Sequence, residues 1–451
     1  MRRWKYFFAV ISILVLTGCT VHPRGEQQER QAALRAGAPF NKPIEQRQVP
    51  PLPANPAPDD LVRRALLASP ELEQRYWEWR SAIEQIPQDG TQATNLSLSG
   101  ATSITRGRMS FDTTTLSLSN DPMADILLPT KLSAAAQRAL ENARATGLRF
   151  RKAQLELRGK VLSAYADYAL TAELIRLEQS NAQLLQSTVM VVEARNEAGA
   201  AGQQELLKSG NELDLSRNDI SSMQAQLPAQ RAALNASLDR PPDAPIPIPT
   251  GMPETRAVVQ DDGQVLKLIA ERNPELAALA QDVAARKQSL VLARLQYLPD
   301  FSISVGTDLA GIAQSLAGMV TVPLLRHQAI DAAVAQAEAN LRATEAMRRQ
   351  AHNDLGAQVV LDLSIIRDAD RQLDLFQHTI LPRARQVVTV SRAAYETGRS
   401  SLLDLLDAQK SLIAIERLVA HLQATREQRL DDLEAITGKL LDRGHSPSTQ
   451  W

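Results

Sequence analysis

Cysteine is almost missing from this chain of 451 residues: it occurs once, at Cys19. No intrachain disulfide and no cysteine-based zinc site can be built from it. Aromatic residues are 4% of the chain, too few for a large all-β barrel or a conventional enzyme core. An excess of one charge is also absent. Lys+Arg number 50 and Asp+Glu 51, so nucleic acid finds no electrostatic handle. The histidines (His22, His327, His352, His378, His421 and His445) are scattered without metal-ligand spacing. Gly438-Lys439 lacks the rest of a phosphate loop, and no Gly-x-Ser-x-Gly is present. The sequence therefore reads as no enzyme, with no cofactor and no metal site.

What is present begins with an address. Arg2, Arg3 and Lys5 precede an apolar run from Phe7 to Leu16, too short to cross about 30 Å of hydrocarbon, so residues 1–18 read as a signal peptide. The run ends in Leu16-Thr17-Gly18-Cys19, which resembles the lipobox of bacterial lipoproteins. That resemblance implies cleavage before Cys19 and lipidation of its thiol. Thr20 follows, where an Asp would retain such a lipoprotein in the inner membrane, so the implied location is the outer membrane. Residues 19–58 are polar and punctuated by seven prolines from Pro39 to Pro58, and are expected to form an extended, lipidated tether without a buried core.

A second proline cluster, Pro241 to Pro253, divides the remainder. The halves on either side match at four places in the same order. Ser69-Pro70-Glu71-Leu72 answers Asn273-Pro274-Glu275-Leu276, and Asn95 to Ser99 answers Asp300 to Ser304. Leu127-Leu128-Pro129 answers Thr321-Val322-Pro323, and Gly199 with Glu205-Leu206-Leu207 answers Gly398 with Asp404-Leu405-Leu406. The expected organisation is a first helix-strand-strand-helix repeat over 59–240, a proline-rich linker over 241–260, a second repeat over 261–440 and a tail over 441–451.

Two periodicities run through each repeat. Leu96, Leu98, Thr102 and Ile104 alternate with small polar residues, as Phe301, Ile303 and Val305 do with Ser302, Ser304 and Gly306. One apolar and one small polar face suit a wall between lipid and a water-filled lumen, although a half-buried hairpin in a soluble domain has the same alternation. Elsewhere the period is helical. No proline falls between Lys131 and Arg195, about 65 residues or roughly 100 Å of helix at about 1.5 Å per residue. The second long stretch, Leu325 to Leu381, meets Pro382, where a kink is permitted. The fold class is mainly α with a small β part: long helical hairpins and four short strands per chain. Four strands cannot close a barrel with a usable pore, whereas three chains supply twelve, so transmembrane strands would require a homotrimer.

The lipobox, the duplicated helix-strand-strand-helix and the run Tyr395-Glu396-Thr397-Gly398-Arg399-Ser400-Ser401-Leu402-Leu403-Asp404-Leu405-Leu406-Asp407-Ala408-Gln409 together resemble the TolC-type outer-membrane factors. The resemblance covers roughly residues 60–440. It implies a trimeric β-barrel in the outer membrane, continuous with a helical tunnel through the periplasm. The partners it implies are outer-membrane lipid, a periplasmic adaptor (membrane fusion) protein and an inner-membrane pump of the RND, ABC or MFS type, with no nucleic acid. The function implied is a passive exit duct of a tripartite efflux or type I-like secretion system, gated at its periplasmic tip. A non-conducting periplasmic scaffold lipoprotein with coiled-coil hairpins is the alternative from another class.

Site residues follow from the same run. Gly199 and Gly398 are expected at the periplasmic turns. Asp404 and Asp407, three residues apart, share one helix face, and three copies would place six carboxylates in an entrance constriction. The bland reading is a solvated Asp pair. Tyr395 matches the family tyrosine that helps hold the entrance closed, and Glu205 the acidic residue with which it bonds. The family arginine that joins this latch corresponds to Ser400, with Arg399 beside it, so the latch is expected to be wired differently.

Overall fold

In the computed structural model, the described backbone covers residues 20–91, 94–105, 108–120, 128–253, 256, 261–308, 314–323 and 325–438. The signal peptide, Cys19 and the tail over 441–451 lie outside the described residues. In chain order the elements are α1 (Glu26–Ala36), α2 (Pro58–Ala68), α3 (Pro70–Gly90), β1 (Thr94–Thr105), β2 (Arg108–Asn120), α4 (Pro129–Glu197) and α5 (Gln203–Ser237). After the proline-rich linker come α6 (Asp262–Arg272), α7 (Pro274–Leu295), β3 (Asp300–Asp308), β4 (Gln314–Thr321) and α8 (His327–Leu375). A π-helical segment, Phe376–Ile380, then leads into α9 (Leu381–Glu396) and α10 (Leu402–Thr437).

The chain forms two compact units, each drawing on both halves of the sequence. The first comprises residues 1–38, 74–150 and 274–351, and contains the sheet. Its four strands run β1-β2-β3-β4, each antiparallel to the next. The register sets Leu96 opposite Leu118, Leu118 opposite Val305, and Val305 opposite Leu316. One residue along, Ser97, Ser117, Gly306 and Ser315 are aligned in the same way. The period-two alternation of each strand is thus in phase across all four. A register shift follows Ala101, where Asp112 is the extra residue of β2. Where helix meets sheet, the ammonium of Lys131 in the first turn of α4 lies 2.5 Å from Asp300 at the start of β3. In the same unit Tyr76 and Trp79 of α3 pack on Phe150 of α4, with centroids 6.4 and 5.7 Å apart.

The expectation of an extended segment over 19–58 is not met. Residues Glu26–Ala36 form α1, with Ala33 fully buried. The helix has little apolar surface and is held instead by polar contacts from far along the chain. Trp79 Nε1 donates to Glu29 at 2.9 Å, and Arg30 Nη1 donates to Glu84 at 2.7 Å. Glu26 and Glu29 also lie in the first turn, where the helix dipole favours negative charge.

The second unit comprises residues 39–73, 151–273 and 352–451. Here the linker is fastened to α10 by charge. Arg256 Nε lies 2.9 Å from Glu427, its Nη2 2.6 Å from Asp431 and its Nη1 3.2 Å from Glu434. Arg158 of α4 also reaches Glu434, at 2.9 Å, and Arg426 donates to the Arg256 carbonyl at 2.6 Å. The three carboxylates are at most 6% exposed. Burial pushes the Asp431 carboxyl up to about 6 despite the attraction of Arg256. The two X-Pro junctions, Ser69-Pro70 and Asn273-Pro274, have nearly the same backbone, φ/ψ of −57/122° and −61/121°. Proline disfavours helical geometry in the residue before it, so each junction ends one helix and starts the next. At Pro382 the helix does not break. The preceding turn widens into the π segment, and Ile380 and Leu381 keep right-handed helical angles.

Candidate functional site

The expected site residues meet at the ends of the second unit's long helices. Gly199 follows α4 and Gly398 follows α9, with φ of +72° and +74°, the left-handed region that costs other residues a steric clash. The two turns share a bonding pattern. Gly199 N donates to Asn196 O at 2.9 Å and Ala200 N to Arg195 O at 2.7 Å. Gly398 N donates to Tyr395 O at 3.0 Å and Arg399 N to Ala394 O at 2.8 Å. Each turn then starts a return helix at the fourth residue after its glycine.

The starts of those helices differ at the capping position, and that difference bears on what each acid does. Ser401 caps α10. Its hydroxyl accepts from Asp404 N at 3.2 Å, while the Asp404 carboxylate accepts from Ser401 N at 3.0 Å and Oγ at 2.8 Å. This reciprocal capping box holds the Asp404 carboxyl below the usual carboxylate range, through the Ser401 hydroxyl first and its N–H second. The equivalent cap of α5 is Gly202, which has no side chain to exchange bonds with Glu205. Glu205 instead accepts from the Tyr395 hydroxyl at 2.8 Å, across 190 residues of sequence.

Tyr395 is 1% exposed and belongs to an apolar cluster with Leu185, Val189, Val192, Leu213, Leu402, Leu405 and Leu406, which draws on all four long helices of the two hairpins. Burial, and then Glu205, pushes the phenol up to about 12, so at neutral pH the hydroxyl keeps its proton and is the donor. The family resemblance named these two residues, and in the structure they are hydrogen-bonded. It missed Arg195, in the last turn of α4. The Arg195 guanidinium lies 4.5 Å from the Tyr395 ring centroid, donates through Nη1 to Tyr395 O and through Nη2 to Ala200 O at 3.2 Å. A basic residue at a helix C-terminus is common, so no sequence signal singled it out. Ser400, at the family arginine position, donates to Ser391 O at 3.5 Å within its own hairpin. Asp404 and Asp407 are both exposed on the first turns of α10.

Deeper in the same unit a buried acid joins the hairpins. Glu178 of α4 is 2% exposed, accepts from Ser216 of α5 at 2.5 Å and from Asn181 at 2.9 Å, and pairs with Arg417 of α10. Burial raises its carboxyl, but these three donors more than offset it and the net direction is down. Among the described residues no group of His, Cys, Asp and Glu could hold a metal ion, and no helix is long and apolar enough to cross a membrane.

Long helices paired through glycine turns, with one four-stranded antiparallel sheet, are the build of a TolC-type channel protein. The chain belongs to the outer membrane efflux protein family, whose model matches residues 61–240 and 265–439, on either side of the proline cluster. It is 25% identical over 313 residues to the pyoverdine export outer membrane protein OpmQ of Pseudomonas putida, a match covering 66% of this chain and 65% of that relative's length. Among solved structures it superposes on the outer membrane protein VceC of Vibrio cholerae with a TM-score of 0.74 at 19% identity, over 85% of this chain and 96% of that one. CusC, whose structures concern folding and transmembrane channel formation, gives 0.74 at 19% over 85% of this chain and 92% of that one.

Proposed function

We propose that this chain is one of three identical subunits of a passive exit duct in the outer membrane, serving a tripartite efflux or type I-like secretion system and gated at its periplasmic tip. The observation that carries this reading is the open sheet: β1 and β4 are its edges, each with a row of backbone groups that a neighbouring strand can satisfy. Pairing β4 of one subunit with β1 of the next gives twelve strands from three chains and leaves no edge. The in-phase alternation of apolar and small polar residues supports lipid outside and water within. An adaptor and an inner-membrane pump supply the energy, and a lipid on Cys19 adds a second hold on the membrane. Pyoverdine is the cargo in the relatives' name. A wide aqueous path sorts by size more than by chemistry, so cargo choice here rests with the pump.

The gate is the contact between the two turns. Tyr395 donating to Glu205 holds the hairpins together, a charge-assisted bond worth about 1.5–3 kcal/mol at most. Asp404 and Asp407 of three chains then ring the mouth and concentrate cations there. The test is a planar-bilayer recording on the detergent-purified protein, whose mass should be that of three chains. Wild type should give discrete steps with a low open fraction, and Tyr395→Phe should raise that fraction. A folded monomer without conductance steps would sink the reading in favour of a scaffold.

A further inference from the structure

We infer that Arg195 is the clamp that fastens the two hairpin turns to each other, doing from the first hairpin what the family arginine position, here Ser400, does not. Its effect on conduction rests on the gated-duct reading, while its geometry does not.

The last carbonyls of any α-helix lack donors within that helix. Tyr395 O, at the end of α9, already accepts from Gly398 N in the turn, and Arg195 Nη1 donates to its second lone pair from the other hairpin. The second arm, Nη2, donates to Ala200 O in the turn that follows Arg195's own helix. One cation therefore closes the C-terminal ends of α4 and α9 together, where both helix dipoles favour positive charge. Its guanidinium carbon also lies over the Tyr395 ring, 4.5 Å from the centroid. Glu205 takes the hydroxyl of the same tyrosine. Tyr395 is thus gripped by both helices of the first hairpin: through ring face and carbonyl by α4, and through its hydroxyl by α5.

The task needs the shape of arginine as well as its charge. Two divergent donors and a stacking plane come from one guanidinium, whereas a lysine ammonium is a compact point charge. The grip is also one-sided. Aligning Gly199 with Gly398 puts Ala394 in register with Arg195, and alanine can return no such contact.

The test compares Arg195→Ala, Arg195→Gln and Arg195→Lys in the full-length assembled protein, by amide hydrogen exchange at residues 395–400 and by bilayer recording. Arg195→Ala should speed exchange at the turn about tenfold, the loss expected from one ring contact and one hydrogen bond. Exchange over 155–170 and the oligomer mass should stay unchanged. Arg195→Lys should recover only part of the protection, and serves with Arg195→Gln if the alanine variant fails to assemble. Combining Arg195→Ala with Tyr395→Ala should speed exchange by less than the product of the two single effects, because the ring contact is lost only once. Turn exchange equal to wild type in Arg195→Ala and Arg195→Gln, or full protection by lysine, overturns the clamp. Faster exchange with an unaltered open fraction leaves the clamp standing and counts against the gate.

Discussion

Replacing Arg256 by methionine tests how the interrepeat linker is fastened, because it removes the guanidinium while keeping most of the stem volume. Glu434 retains Arg158 and Glu427 retains Arg426, but Asp431 loses its 2.6 Å partner. In the native protein the Asp431 carboxyl stands at about 6, against 3.8 ordinarily. The folded state therefore binds this proton more tightly than the unfolded chain. Stability falls as pH rises from about 4 to about 6 and is flat above. Without Arg256 the group stays protonated well above 6, so stability keeps falling through neutrality. At about pH 7.5 the wild-type penalty from this one carboxyl is about 3 kcal/mol, and a variant that keeps the proton at that pH pays about 5, a difference of up to about 2 kcal/mol. At about pH 6 the same arithmetic leaves under about 0.5 kcal/mol. The measurement is the thermal midpoint of helicity, by circular dichroism at 222 nm, for both proteins at both pH values. Arg256→Met should melt a few degrees lower at the higher pH, and the gap should nearly close at the lower. Equal midpoints at about pH 7.5, or a gap that persists at about pH 6, would refute the assignment of an unpaired buried Asp431.

Two further outcomes are expected. Replacing Asp404 and Asp407 together with alanine should abolish block by multivalent cations added from the periplasmic side, in bilayer recordings that still show conductance steps. Block as strong as in wild type would mean that both carboxylates face open solvent. Cys19→Ser should leave a precursor or lipid-free chain that a fatty-acid analogue no longer labels, and persistent labelling would place the lipid elsewhere.

The long helices were legible because their signals are local. The run without proline before Arg195 matches α4, observed over Pro129–Glu197, and the glycines of the turns sit where the apolar spacing ends. The strands lie where the alternation runs, with 9 and 8 residues in β3 and β4 and 12 and 13 in β1 and β2. Tyr395 and Glu205 were brought together only by the family resemblance. Neither Arg195 nor Arg256 could be found that way. Their partners in other helices lie 200 and 171–178 residues away, and an arginine's reach leaves no period in a sequence. Helix α1 was hidden for a related reason: its contacts are hydrogen bonds to α3, so the segment lacks the apolar stripe by which docked helices are recognised.

The missing side chain at Gly202 bears on how two turns of the same geometry come to do different work. With both acids capping their own helices, neither carboxylate would be available to the tyrosine hydroxyl of the other turn. A copy that loses its capping hydroxyl gives up about 1 kcal/mol or less of local helix stability, because glycine is itself a tolerated cap. Its acid is then free to find a partner in the other copy. At this contact the two turns therefore divide their tasks by atoms that Gly202 lacks, since Glu205 is left for Tyr395 while Asp404 stays with Ser401.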